Sequence, residues 1–254
     1  MPRNPRAMGI LELLAVAGAF TFAGLVKGVI GMGLPTVSMG LMVLFIAPLE
    51  AAALVLLPAF LTNVWQMLAG PHLGEVARRL WPMLLATCLG TWACMGLMTG
   101  PSAAKYGGGV LGLTLIVYAV TALASLEFSV KRSQEPWLGP IFGAMTGAML
   151  AATGVFMIPG VPYLAAIGLE KDKLVQALGL CFVVATAALT VNVAAAGALN
   201  VGVLVPAALA VALAFAGMWG GQLVRARLRP QVFRFWYLIG MLVLGLVLAS
   251  RLLR

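Results

Sequence analysis

Apolar runs of eighteen or more residues recur from one end of the chain to the other, and this sets the class before any motif is read. A run of that length crosses the roughly 30 Å hydrocarbon core of a bilayer as a helix. The longest polar stretches, 70–79 and 127–136, hold about ten residues each, too few for a soluble domain. Composition agrees: 63% of residues are hydrophobic and 9% charged, where soluble domains average roughly 25% charged. The chain is expected to be an all-α polytopic membrane protein with the lipid bilayer as its partner, so its function lies within the membrane. The net charge of +9 is read as basic residues gathered in short loops by the positive-inside rule, not as a nucleic-acid surface. Cys88, Cys94 and Cys181 lie in apolar segments without C-x-x-C spacing and read as packing residues, not as disulfides or zinc ligands. Near the N-terminus, Arg3, Arg6 and Ala15-Val16-Ala17 resemble a signal peptide. Glu12 interrupts that run and apolarity continues past residue 17, so a retained first helix is expected.

The stretch 24–38 breaks the apolar rule. It holds Gly24, Gly28, Gly31, Gly33, Pro35 and Lys27. Up to Gly31 a helix is feasible, and Gly24, Gly28 and Gly31 then share a face about 60° wide, bordered by Lys27. Such a smooth face lets another backbone approach closely. Beyond Gly31, Gly-x-Gly-x-Pro first removes side chains and then a backbone donor. The pattern predicts a helix broken inside the membrane, where irregular backbone survives only if buried in protein or lining a watery cavity. Secondary transporters build substrate sites this way.

The chain predicts a first helix over 9–31, a short arm over 34–47, a turn at 48–50, and spans over 51–69, 81–99 and 106–126. The polar segment 70–79 is expected to be a loop and 127–136 a central linker. The plan then recurs: a helix over 137–150, a second break at 151–154, a short arm over 155–167 and a turn at 168–170. Spans over 174–196, 201–224 and 235–250 follow, with a basic loop at 225–234. Registers support a repeat. Leu49-Glu50 matches Leu169-Glu170, Gly24/Gly28 matches Gly143/Gly147, and Gly70, Gly90 and Trp92 match Gly197, Gly217 and Trp219. The expected organisation is a first repeat over 1–126, the linker 127–136 and a second repeat over 137–254. That gives about 8–10 membrane segments, with each repeat a broken or hairpin pair followed by three transmembrane helices. Placing Arg78, Arg79, Lys131, Arg132 and Arg225–Arg234 in the cytoplasm requires each broken region to return to its own side. The two repeats are then inverted, and Arg3 and Arg6 fall outside, against the charge rule.

The glycine pattern of residues 24–33 followed by a proline, its reprise at Gly143/Gly147 and the Gly90/Trp92 and Gly217/Trp219 pairs resemble the sulfite exporter TauE/SafE family, also known as the 4-toluene sulfonate uptake permeases, over nearly the whole chain. The resemblance implies movement of sulfur-containing anions such as sulfite, sulfonates or sulfoacetate across the bacterial inner (plasma) membrane.

The residues bear on that chemistry independently. Lys27 in a helix centre costs roughly 2.5–3.5 kcal/mol on insertion scales. It reads either as a charge facing an anion or a proton-coupled switch, or as a snorkelling lysine paired with freed carbonyls. The breaks offer backbone N–H groups and helix dipole ends. The candidate substrate-binding residues are accordingly Lys27, Gly28, Gly31, Gly33, Thr36, Ser38, Asn63, Thr153, Gly154 and Phe156. Thr62, Asn63, Gln66, Thr186, Thr190 and Asn192 are read as pore lining or as hydrogen bonds between helices, and His72 as a surface histidine. The acids Glu12, Glu50, Glu75, Glu127, Glu135, Glu170 and Asp172 all fall near predicted segment ends, which leaves acidic ion relays poorly supplied and favours an anion as cargo. A coupling proton or sodium ion, and the oligomeric state, stay open. No H-E-x-x-H, G-x-S-x-G or P-loop is present, so no metal, cofactor or nucleotide drive is expected. A membrane-embedded enzyme, a lipid-handling protein and a non-transporting assembly subunit are the alternatives to a secondary transporter.

Overall fold

The computed structural model describes residues 10–124, 129–225, 227 and 230–253. Among these there are ten α-helices and no strand. They are α1 (Ile10–Ile30), α2 (Leu34–Met42), α3 (Pro48–Leu68), α4 (Leu73–Ala93), α5 (Pro101–Leu123), α6 (Glu135–Thr153), α7 (Gly160–Ala166), α8 (Lys171–Ala195), α9 (Val201–Arg225) and α10 (Pro230–Ala249), closed by a 3-10 turn at Ser250–Leu253. Six of them, α1, α3, α5, α8, α9 and α10, are long and apolar enough to cross a membrane. Large apolar side chains stay on the outside, Val205 78% exposed and Trp65, Trp81, Trp219 and Trp236 each 60% or more. An aqueous surface rarely tolerates this, and lipid covers it. Arg3, Arg6 and Glu127 lie outside the described residues.

Helix ends depart from the expected boundaries in a consistent direction, because prolines and acids start helices earlier than apolarity does. Pro48-Leu49-Glu50 is the first turn of α3, with Pro48 at the first helical position and Glu50 beside the positive dipole end. The expected loop at 70–79 shrinks to 69–72, since α4 already carries Glu75, Arg78 and Arg79. Glu135 and Pro136 open α6, Lys171 and Asp172 open α8, and Pro230 opens α10. Spans stop earlier too: α4 ends at Ala93, and residues 94–100 turn through Gly96 at φ 140°.

Both short arms are shorter than expected. In α2 the helix tightens into i→i−3 bonds, Leu44 N–H to Leu41 O and Phe45 N–H to Met42 O. Ala47 is then extended (ψ 147°) ahead of Pro48, as a residue before proline prefers. The second arm does not begin at Thr153-Gly154. Thr153 ends α6, Gly154 caps it at φ 73°, and helix resumes only at Gly160 after Pro159.

The packing pairs helices from opposite halves. α1 lies on α9 and α6 on α4, while α5 meets α10 and α3 meets α8. A methyl group at Gly28 would overlap the Met218 carbonyl of α9, and one at Gly147 the Thr87 carbonyl of α4. The matched glycine pairs thus do the same job in two places, letting backbones touch.

One end of the bundle gathers the charges. Arg79 donates to both Glu135 oxygens, at 2.8 and 2.6 Å, and to the Ile167 carbonyl at 2.8 Å. Lys173 bonds Glu75 at 3.1 Å and holds its carboxyl below the usual range. Gln176 donates to Met67 O and Gly70 O, at 2.7 and 2.6 Å, and accepts the His72 N–H at 2.9 Å. His72 is half-buried there. At the opposite end of α3, Arg251 donates to the Val43 and Leu44 carbonyls at 3.0 and 3.1 Å.

Candidate functional site

The two breaks meet. The first is built by glycines at positive φ, Gly31 (86°) and Gly33 (102°), a conformation only glycine enters freely. Leu34 then restarts the helix, with Pro35 in its first turn where a missing N–H costs nothing. The second break is Gly154 followed by irregular backbone to Pro159. A methyl added at Gly154 would sit 2.8 Å from the Met39 Cε of α2, so the second break rests against the first arm.

Between them lies a cavity. Its walls are Gly33, Pro35 and Thr36 from the first break, Leu150, Gly154 and Phe156 from the second, Ala52, Val55, Leu56 and Ala59 from α3, and Phe182, Ala185, Thr186 and Leu189 from α8. It offers about 30 Å³ to the centre of a water molecule, room for about two waters. An ion larger than this enters only if the walls move apart. The lining carries no charged side chain. Its polar groups are two hydroxyls. Thr186 donates to Phe182 O at 2.6 Å, whereas the Thr36 hydroxyl, on a 4% exposed residue, bonds nothing among the described residues. No side chain caps the α2 N-terminus, so its first-turn N–H groups and positive dipole end face this region. The second break presents the C-terminus of α6 rather than a second helix N-terminus.

Of the candidate residues, Gly33, Thr36, Gly154 and Phe156 line the cavity. Gly31 forms the break, and Gly28 packs on α9. Ser38 is fully buried and donates to Leu34 O at 2.6 Å. Thr153 donates to Met149 O at 2.6 Å and accepts the Val155 N–H at 3.3 Å. Lys27 is 4% exposed and reaches α3, where it donates to Thr62 Oγ1 at 3.1 Å and to Asn63 Oδ1. That places Lys27 and Asn63 one turn beyond Ala59, next to the cavity rather than in its wall. Gln66 and Asn192 hold helices together, donating to Val175 O and Thr91 O at 2.9 Å each. Thr190 bonds back to Thr186 O.

The cavity walls contributed by α3 and α8 went unseen in the sequence, apart from Thr186. The signal was present: 52, 55, 56, 59 and 182, 185, 186, 189 share the i, i+3, i+4, i+7 spacing of one helical face, in the two spans that follow the arms.

A bundle of apolar helices with two interrupted helices meeting at an internal cavity defines a multi-pass membrane protein. The family model for the sulfite exporter TauE/SafE matches residues 16–248, nearly the whole chain, and the protein belongs to that family of transporters, which are not enzymes. No curated protein and no solved structure matches the chain.

Proposed function

We propose that the protein moves small sulfur-containing anions (sulfite, sulfonates and sulfoacetate-like organosulfonates) across the bacterial inner membrane by alternating access, with cargo held between the two breaks. The observation that carries this reading is the cavity itself. It is walled by both breaks, holds no carboxylate, and borders the uncapped start of α2 with the uncommitted Thr36 hydroxyl. Oxyanions suit such donors, since hydrogen bonds to a charged acceptor are the strong kind. Membership of a sulfite exporter family supports a sulfur anion as the cargo.

Two inverted repeats, 1–126 and 137–254, would provide the moving parts. Exchanging α1–α5 with α6–α10 in order leaves the helix pairings unchanged: α1 on α9 becomes α6 on α4, while α3 with α8 and α5 with α10 map onto themselves. The registers along the glycine contacts run parallel in both α1/α9 and α4/α6. Because α4 starts at the charged end and α9 at the other, α1 and α6 would enter from opposite sides.

The test is thermal stabilisation of purified protein against sulfite, methanesulfonate, sulfoacetate, sulfate and acetate, followed by uptake into proteoliposomes. Stabilisation by at least one sulfur oxyanion well beyond acetate is expected. Absence of stabilisation by any of them would overturn the reading.

A further inference from the structure

Lys27 occupies a site with more donors than acceptors. Its amine reaches two acceptors, Thr62 Oγ1 and Asn63 Oδ1. Thr62 spends its own hydrogen on the Pro58 carbonyl at 2.7 Å. A neutral lysine carries two N–H groups, and both find acceptors here. An ammonium carries three, and the third finds no acceptor among the described residues. The Asn63 Nδ2 is also buried and has no partner among the described residues, so one cluster holds a second unused donor.

The ammonium would lack a counter-charge as well. Around Lys27, α2 bears no charged residue, and α9 offers only Arg225, one turn beyond the Gly221 that packs against Gly28. α10 brings Arg234 and Tyr237, the Tyr237 hydroxyl bordering Gly33. The acids on α1 and α3 are Glu12 and Glu50, more than three helical turns from Lys27 and Asn63 respectively, or about 20 Å along the axis. A buried charge without a partner is strongly disfavoured. An anion in the adjoining cavity would supply the missing counter-charge at close range.

We propose that Lys27 couples transport to protons. It stands neutral between Thr62 and Asn63 while the cavity is empty. It takes one proton from water onto its lone pair as an anion arrives, so that anion and proton cross as a pair. This rests on the anion reading above and names the coupling ion for the same site.

The experiment uses methanesulfonate and sulfate, whose charge stays fixed between about pH 6 and about pH 9, so that any proton taken up belongs to the protein. Purified protein in weakly buffered detergent solution is titrated with each anion while an indicator reads proton uptake. About one proton per bound anion is expected, with affinity falling about tenfold per unit of rising pH where Lys27 is neutral. Lys27→Arg, charged throughout, should bind without proton uptake and without that slope. Lys27→Met should show no uptake. Failure of both anions, and of sulfite and sulfoacetate, to stabilise the protein would overturn the transport reading and this inference with it. Binding without proton uptake in the parent protein, or equal uptake in Lys27→Met, would overturn the coupling alone. Should Lys27→Met fail to fold, the parent slope and the Lys27→Arg comparison still decide.

Discussion

The two cavity hydroxyls separate a binding role from a packing role. Among the described residues Thr36 donates to nothing and is free to meet an anion, while the Thr186 hydrogen is already on Phe182 O. A hydrogen bond to a charged group contributes about 1.5–3 kcal/mol. Thr36→Val should therefore weaken the stabilising anion by about tenfold to a hundredfold, and Thr186→Val by about threefold at most. Equal losses in the two variants, measured by isothermal titration, would place the cargo elsewhere. Bulky replacements at Gly33 or Gly154 test less, because φ of 102° and 73° strains any side chain there whether or not cargo binds. Legibility at this scale follows the chemistry. Lys27 stood out because a membrane lysine costs energy wherever it sits. Its partnership with Thr62 and Asn63 did not, since the contact crosses 35 positions of chain. The alanines of α3 were invisible because a small residue in an apolar helix serves a packing contact and a cavity wall equally well.

Each arm ends under an arginine. Arg251 spans the two carbonyls just after α2, those of Val43 and Leu44, and Arg79 joins the carbonyl after α7 to Glu135 of α6. Cations favour helix C-termini, whose last carbonyls lack partners. The two differ in surroundings: the side chains of Arg79 and Glu135 are 16% and 10% exposed, while Arg251 is exposed. Arg79→Gln strands a nearly buried carboxylate and a carbonyl, at a cost of about 1–3 kcal/mol. Arg251→Gln loses one part-buried and one solvent-facing bond from an exposed side chain, at about 0.5–1.5 kcal/mol. Thermal melts in one detergent should rank Arg79→Gln well below Arg251→Gln, and the reverse order would show that the charged end is not the stronger clasp. The sequence announced both breaks through glycine and proline, yet misjudged where helix resumes. Gly154 can cap a helix as readily as open one, and only the fold reveals that Pro159 delays the second arm by five residues.

The whole molecule tests the inversion. Gly70 and Gly197 sit in matched turns, one joining α3 to α4 and the other α8 to α9. If the halves are inverted repeats, these turns face opposite sides of the membrane; halves related by an axis along the membrane normal would put both on one side. The packing argues for the first. The α3–α4 turn is tied through Gln176 and His72 to the start of α8, and the α8–α9 turn lies 25 helical residues away at that helix's far end. Cysteines introduced by His72→Cys and Asn200→Cys, each in a background with Cys88, Cys94 and Cys181 changed to alanine, report this directly. A membrane-impermeant thiol reagent applied to intact spheroplasts should label the Asn200→Cys protein and spare the His72→Cys protein, with the pattern reversing in inside-out vesicles. The charged end, with Arg79, Lys131, Arg132 and Lys173, then faces the cytoplasm as the positive-inside rule requires. Labelling of both turns from one side would rule out inversion, and with it the idea that two oppositely entering arms alternately expose the cavity they share.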